Sequence, residues 1–240
     1  MPFKLNPENY VEVRSLKNIS ADLKLTGPEN AALWMHSSED STELAVEINQ
    51  LDLQQLSRFA AIPDMQGRVN VALRYVPSDV SFLIAADANI DNLIFRGQPV
   101  GELLLNGVYL PLDNNRHRFD AHFYHNESEL ATVSAFYRQP QQKQAQGAID
   151  GTMQFDRIPL SELNPFFGGA VDMQGVLRGR LTLESRDRGP IWNGYLQLDS
   201  TSMYVRAVGT RFRFDDQEVD IKDSKLRLTK YGIYTTGGNP

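Results

Sequence analysis

Gly179-Arg180-Leu181-Thr182-Leu183-Glu184 places its leucines at alternate positions, with Arg180, Thr182 and Glu184 before, between and after them. Side chains alternate across a β-strand, so this stretch reads as a strand with one apolar face and one wet face. The same alternation recurs at Leu23/Leu25, Leu44/Val46/Ile48, Val69/Val71/Leu73, Met153/Phe155, Leu196/Leu198, Phe212/Phe214 and Leu226/Leu228. Parallel sheets covered on both sides give continuous Val/Ile/Leu runs instead, and this chain has few. It is predicted to be all-β, a repetitive antiparallel meander.

Turn formers punctuate the strands at Thr26-Gly27-Pro28-Glu29-Asn30, Asp64-Met65-Gln66-Gly67, Asp113-Asn114-Asn115, Gly168-Gly169, Asp187-Arg188-Gly189-Pro190 and Asp215-Asp216. Gly, Asn and Asp tolerate left-handed backbone and Pro presets φ. That spacing predicts roughly 16–20 strands. Two segments break the alternation, Leu51–Phe59 and Ile158–Phe167. Leu53, Leu56 and Phe59 would share a helical face, as would Leu160, Leu163 and Phe166. Pro159 suits a first helical position. Each segment is expected to form one or two helical turns that cap an apolar end or edge of the sheet.

These helical segments are copies of each other. Leu53, Leu56 and Phe59 map onto Leu160, Leu163 and Phe166 at an offset of 107 (160 − 53). After one inserted residue, Asp64-Met65-Gln66-Gly67 matches Asp172-Met173-Gln174-Gly175 at 108 (172 − 64), and Leu73/Leu181, Ile90-Asp91/Leu198-Asp199 and Val100-Gly101/Val208-Gly209 keep that register. Self-similarity held over a long stretch marks a repeat architecture. The expected organisation is residues 1–50 as the tail of a preceding copy, 51–157 as a full β-repeat and 158–240 as a second, truncated one, in a piece of something longer.

The composition excludes several classes. Lys and Arg number 24 against 30 Asp and Glu, a net charge of −6, with no basic stripe. Affinity for phosphate backbones comes mostly from Lys and Arg, so no nucleic-acid partner is expected. With no cysteine, disulfide scaffolds and thiol catalysis fall away. No apolar run approaches the ~18 residues of a membrane-spanning helix. Met1–Ser20 lacks the apolar core of a signal peptide, since Asn6-Pro7-Glu8-Asn9 stands in its place.

The stretch from Ile158-Pro159-Leu160-Ser161-Glu162-Leu163 through Met173-Gln174-Gly175-Val176-Leu177-Arg178-Gly179-Arg180-Leu181 resembles the C-terminal region of the TamB family. So do Gly194-Tyr195-Leu196-Gln197-Leu198-Asp199 and Val205-Arg206-Ala207-Val208-Gly209-Thr210-Arg211-Phe212. These are the inner-membrane-anchored subunits of the translocation and assembly module, related to AsmA-like proteins. The likeness covers residues 146–240, and the earlier half follows through the repeat. Its motifs are built from Gly, Asp and alternating apolar positions. The resemblance implies a periplasmic sheet curled into a taco-like open groove, in a protein anchored to the inner membrane by segments outside this chain. It also implies phospholipid movement between inner and outer membranes, and outer-membrane protein assembly with an insertase-like barrel partner of the TamA type.

Elementary physics leaves room for that groove. One apolar stripe per strand leaves a large greasy face, covered either by another sheet, as in a sandwich or barrel, or by acyl chains lying in a gap. The candidate lipid-groove lining is Val69, Val71, Leu73, Leu103, Leu105, Leu181, Leu183, Leu196, Leu198, Phe212, Phe214, Leu226 and Leu228. Leu103-Leu104-Leu105 leaves the parity open there. The competing reading is that these residues pack against one another, and the chain is a docking scaffold whose sheet edges pair with partner strands. A sugar-binding solenoid would want aromatic platforms, and Trp34 and Trp192 are too few.

No catalytic residue or cofactor is expected. His117 and His125 would share a face with Phe119 and Phe123, about 26 Å apart if on one strand, while His122 points away with Tyr124. That separation makes a metal site an outside reading. Glu39/Asp40, Asp215/Asp216 and Glu218/Asp220 read as solvated turns. No serine lies in a Gly-x-Ser-x-Gly elbow, and Gly97-Gln98-Pro99-Val100-Gly101 lacks the setting of a phosphate loop.

Overall fold

Alternating sequence becomes strand after strand in the computed structural model, which describes residues 3–39, 42–55, 64–79, 81–113, 115–140, 147–186 and 189–236. Those residues form one 17-stranded antiparallel sheet. Short β1 (Lys4–Leu5) and β2 (Tyr10–Ser15) run in line along β3 (Asn18–Thr26). Hairpins then lead through β4 (Ala32–Ser37), β5 (Leu44–Asp52), β6 (Met65–Pro77), β7 (Phe82–Phe95), β8 (Gln98–Leu112) and β9 (Arg116–His125). The meander continues with β10 (Ser128–Arg138), β11 (Ala148–Pro159), β12 (Val171–Arg186) and β13 (Gly189–Val205), each paired with the strand before it.

Beyond β13 the rows are broken. β14 (Thr210–Phe214) and β15 (Glu218–Lys222) share the free side of β13, and β16 (Lys225–Arg227) and β17 (Ile233–Thr236) return along them. Asp215 and Asp216 make this break orderly. The Asp215 carboxylate accepts the Gly232 N–H at 2.7 Å, and Asp216 accepts that of Ser200. Among the described residues no pairing joins the β1/β2 row to the β16/β17 row. The sheet is therefore an open groove, neither a closed barrel nor a sandwich.

Two short helical pieces sit at one end. Residues 53–55 are helical, and Leu160–Phe167 form a 3₁₀ helix. Leu53 packs with Leu93 and Val100, and Leu160 is equally buried. Leu56 to Phe59 lie outside the described residues. Pro159 is not the first helical residue: its ψ of 119° is extended, so it closes β11 and precedes the helix.

Asp64–Gly67 is not a turn either. β6 starts at Met65, and Gly67, with φ 143°, sits in a bulge between Gln66 and Arg68. Glycine marks bulges as readily as turns, because both need backbone that a side chain resists. The break read at residues 187–190 does separate β12 from β13, which pair at Arg186 and Gly189, with Gly189 and Pro190 already in β13. Irregularities recur with the period read from the sequence. Gln50 and Arg157 (157 − 50 = 107), and Asn92 and Ser200 (200 − 92 = 108), all have positive φ beside strand bulges.

Among the described residues no second layer covers the sheet. Among the described residues no side chain is below 2% exposure. The accessible surface is 15603 Å², where a compact monomer of this size would show about 10,900 Å².

Candidate functional site

Hydrogen-bond register shows which residues of successive strands share a face, because directly opposed residues in antiparallel strands point the same way. From β3 to β16, successive cross-strand partners are Leu23, Met35, Val46, Leu73, Ala86, Gly107, Ala121, Val133, Met153, Leu181, Gly194, Ile221 and Leu226. A parallel line runs through Leu25, Leu33, Ile48, Val71, Ala88, Leu105, Phe123, Ala131, Phe155, Gly179, Leu196 and Val219. None of these residues carries a charge. Side chains one position along each strand form the outer face, which is mostly polar, as at Asp22, Glu47, Asn70, Asp87, Asp120, Gln154 and Arg180.

The proposed lining residues can be placed on this map. Val69, Val71 and Leu73 on β6, Leu103 and Leu105 on β8, Leu181 and Leu183 on β12, and Leu196 and Leu198 on β13 all lie on the groove face. Phe212 faces Met203, and Phe214 partners Ile233. Leu226 continues the first line, whereas Leu228 follows the end of β16 and is 56% exposed. The parity left open at Leu103-Leu104-Leu105 resolves through the pairing of Leu105 with Ala88 and Phe123.

Along the groove face the profile varies. Ala86, Gly107 and Ala121 are consecutive partners on β7, β8 and β9, so the floor is lowest there. Phe119 and Phe123 flank Ala121 and remain 42% and 40% exposed, and Trp192 on the same face is 37% exposed. Large apolar side chains at these positions contact no second layer. The end carrying the helical pieces is plugged by Leu53, Leu93 and Val100, with Phe95 and Phe166 rings 5.5 Å apart.

Sequence reasoning missed an aromatic ladder near the opposite end. Tyr75, Phe82, Tyr109 and Phe119 stand in sequence across β6 to β9, with centroid distances of 5.3, 5.8 and 4.9 Å. His117 extends it, its Nδ1 2.8 Å from the Tyr109 hydroxyl and its ring 5.9 Å from Tyr137. Tyr75 has the same parity as Val69, Val71 and Leu73, so strand parity was the available signal.

The histidines separate as their spacing suggested. His117 and His125 lie on the groove face, while His122 points outward to Glu129 at 2.6 Å. His125 is buried, with Nε2 donating to the Val100 carbonyl at 2.5 Å and Nδ1 against the Glu162 carboxylate. Among the described residues, no group of three or more His, Cys, Asp or Glu is placed to hold a metal ion. No helix among them is long and apolar enough to cross a membrane.

Compared with known proteins, the chain matches no family model, no curated protein and no solved structure.

Proposed function

We propose that the groove face binds phospholipid acyl chains, and that the protein carries them between bacterial inner and outer membranes in the periplasm. The observation that carries this reading is an uncharged apolar face running from β3 to β16 with Phe119, Phe123 and Trp192 left exposed on it. Soluble proteins rarely leave contiguous apolar patches beyond a few hundred Å² without a ligand or partner. Each buried methylene contributes about 0.8 kcal/mol, so a long chain could be held with no specific polar contact. Such carriage requires no acid, base or nucleophile. The sequence resemblance to the TamB family supports the same reading, and with it a role in outer-membrane protein assembly beside a TamA-type barrel.

Native mass spectrometry of the gently purified protein, with extraction of acyl-bearing molecules, tests this. Stoichiometric phospholipid, lost in Phe123→Asp, is the expected result. A protein that stays lipid-free after incubation with phospholipid overturns it.

A second reading has its own observation. β2 is an edge strand whose six residues are all exposed, Val11 and Val13 at 47% and 64%. An edge of that kind can pair with an incoming strand, which makes the sheet a docking scaffold.

A further inference from the structure

We infer that the outer face of β8 to β10, at the end away from the helical pieces, docks onto an anionic phospholipid bilayer. Register builds the patch as two adjacent rows. Leu110 partners Arg118, which partners Phe136, and Leu112 partners Arg116, which partners Arg138. The rows interleave apolar side chains and guanidinium groups in one block. Guanidinium carbons of Arg116 and Arg118 lie 5.1 and 6.0 Å from the Phe136 ring centroid.

Two features of this block are costly unless something covers it. Arg116 and Arg138 are directly opposed, and like charges in that relation destabilise a sheet. Among the described residues no carboxylate pairs with either, whereas Arg118 has Asp120 at 2.6 Å. The exposed aliphatics are the second feature. Leu112 is 36% exposed and Val108, on the same strand and face, 40%, on the face that is mostly polar. Lipid phosphates would neutralise the arginines, which bind phosphate through paired N–H groups, and the aliphatic side chains would enter the headgroup boundary.

Charge selects this occupant over a neutral surface. In a chain with net charge −6 the block gathers three arginines against Asp120, with Asp150 opposite Phe136 at its β11 border. Position supports it too. Leu110 and Leu112 border a cleft of about 520 Å³ that also involves Lys17, Asp79, Asp113, Tyr75 and Phe82, so the patch runs over the strand ends towards the aromatic ladder of the groove. Docking stands on these residues alone. Only its use, presenting the groove mouth to lipid, rests on the groove reading.

The test is flotation of the whole chain with vesicles of phosphatidylcholine alone or containing about 30% phosphatidylglycerol, at low and high salt, because anionic surfaces attract basic patches within a Debye length. The expected result is binding to anionic vesicles only, weakened by salt and reduced about tenfold or more in Arg116→Ala/Arg138→Ala. Leu112→Ser should weaken binding without removing its salt dependence. Equal binding to both vesicle types, no binding to either, or full binding by the folded double variant overturns the inference. Phe123→Asp lies on the other face and should bind vesicles normally, so loss of acyl carriage and loss of docking are read separately.

Discussion

His125 joins the sheet to its cap: Nε2 donates to the Val100 carbonyl at 2.5 Å while Nδ1 meets the Glu162 carboxylate of the 3₁₀ helix. The ring is 4% exposed, so replacing it strands a buried carbonyl and a half-buried carboxylate. Unsatisfied groups of that kind cost about 1–3 kcal/mol. His125→Leu is expected to lose stability in that range on urea unfolding, and to speed hydrogen exchange across residues 160–167. Unchanged exchange there would show that the cap is held by Leu160 and Phe166 packing alone.

Gly175 and Gly168 both have positive φ, 107° and 58°, but different surroundings. A Cβ on Gly175 would stand 2.6 Å from the Thr201 Cα, whereas one on Gly168 would meet nothing within 4 Å. Gly168→Ala therefore carries only the left-handed penalty, about 1–2 kcal/mol. Gly175→Ala adds a clash with backbone that has no room to yield, and should exceed it on denaturant unfolding by about 1 kcal/mol or more. Equal losses would mean that the bulge relaxes.

Much of this fold was legible in single residues. Leu181 and Leu183 alternate with charged and polar neighbours, and β12 puts the two leucines on the groove face and their neighbours on the other. Leu103-Leu104-Leu105 was not legible, since β8 is apolar on both faces and only pairing to Phe123 fixes which side Leu105 takes. Gly67 signalled an interruption without saying whether it was a turn or a bulge, because the two share backbone demands. Asp215 and Asp216 marked a break, but their capture of Gly232 and Ser200 N–H groups depends on strands brought alongside by the sheet. The aromatic ladder and the arginine block escaped for the same reason. Each needs the register of several strands at once.

Tyr231 supplies a pH dependence at the far edge. Burial raises its pKa above the ordinary phenol value, and the negative charges of Asp215 and Asp216 push the same way. A raised phenol contributes stability fully below its unfolded pKa, near 10, and loses it as pH rises through the folded value. Its buried hydroxyl has no hydrogen-bond partner, so Tyr231→Phe should cost little near neutrality. Thermal unfolding from about pH 8 to 11 should fall more steeply in the natural protein than in Tyr231→Phe. Parallel curves would mean that ionised Tyr231 reaches solvent.

Phe123 and Leu93 lie on the groove face and should respond in opposite ways if that face is open. Leu93 is 3% exposed within the plug of Leu53 and Val100, so Leu93→Ala leaves a cavity and should cost about 2–4 kcal/mol. Phe123 is 40% exposed above the Ala88–Leu105 stretch of the floor, with no layer packed over it. Phe123→Asp puts its carboxylate into water, and stability should shift by less than about 1 kcal/mol. Acyl binding, followed by displacement of a fluorescent fatty acid, should nevertheless be lost, because a charge then stands where methylenes would lie. If Phe123→Asp instead unfolds the sheet as severely as Leu93→Ala, the apolar face is a core that packs against something in solution, and the docking scaffold becomes the better account.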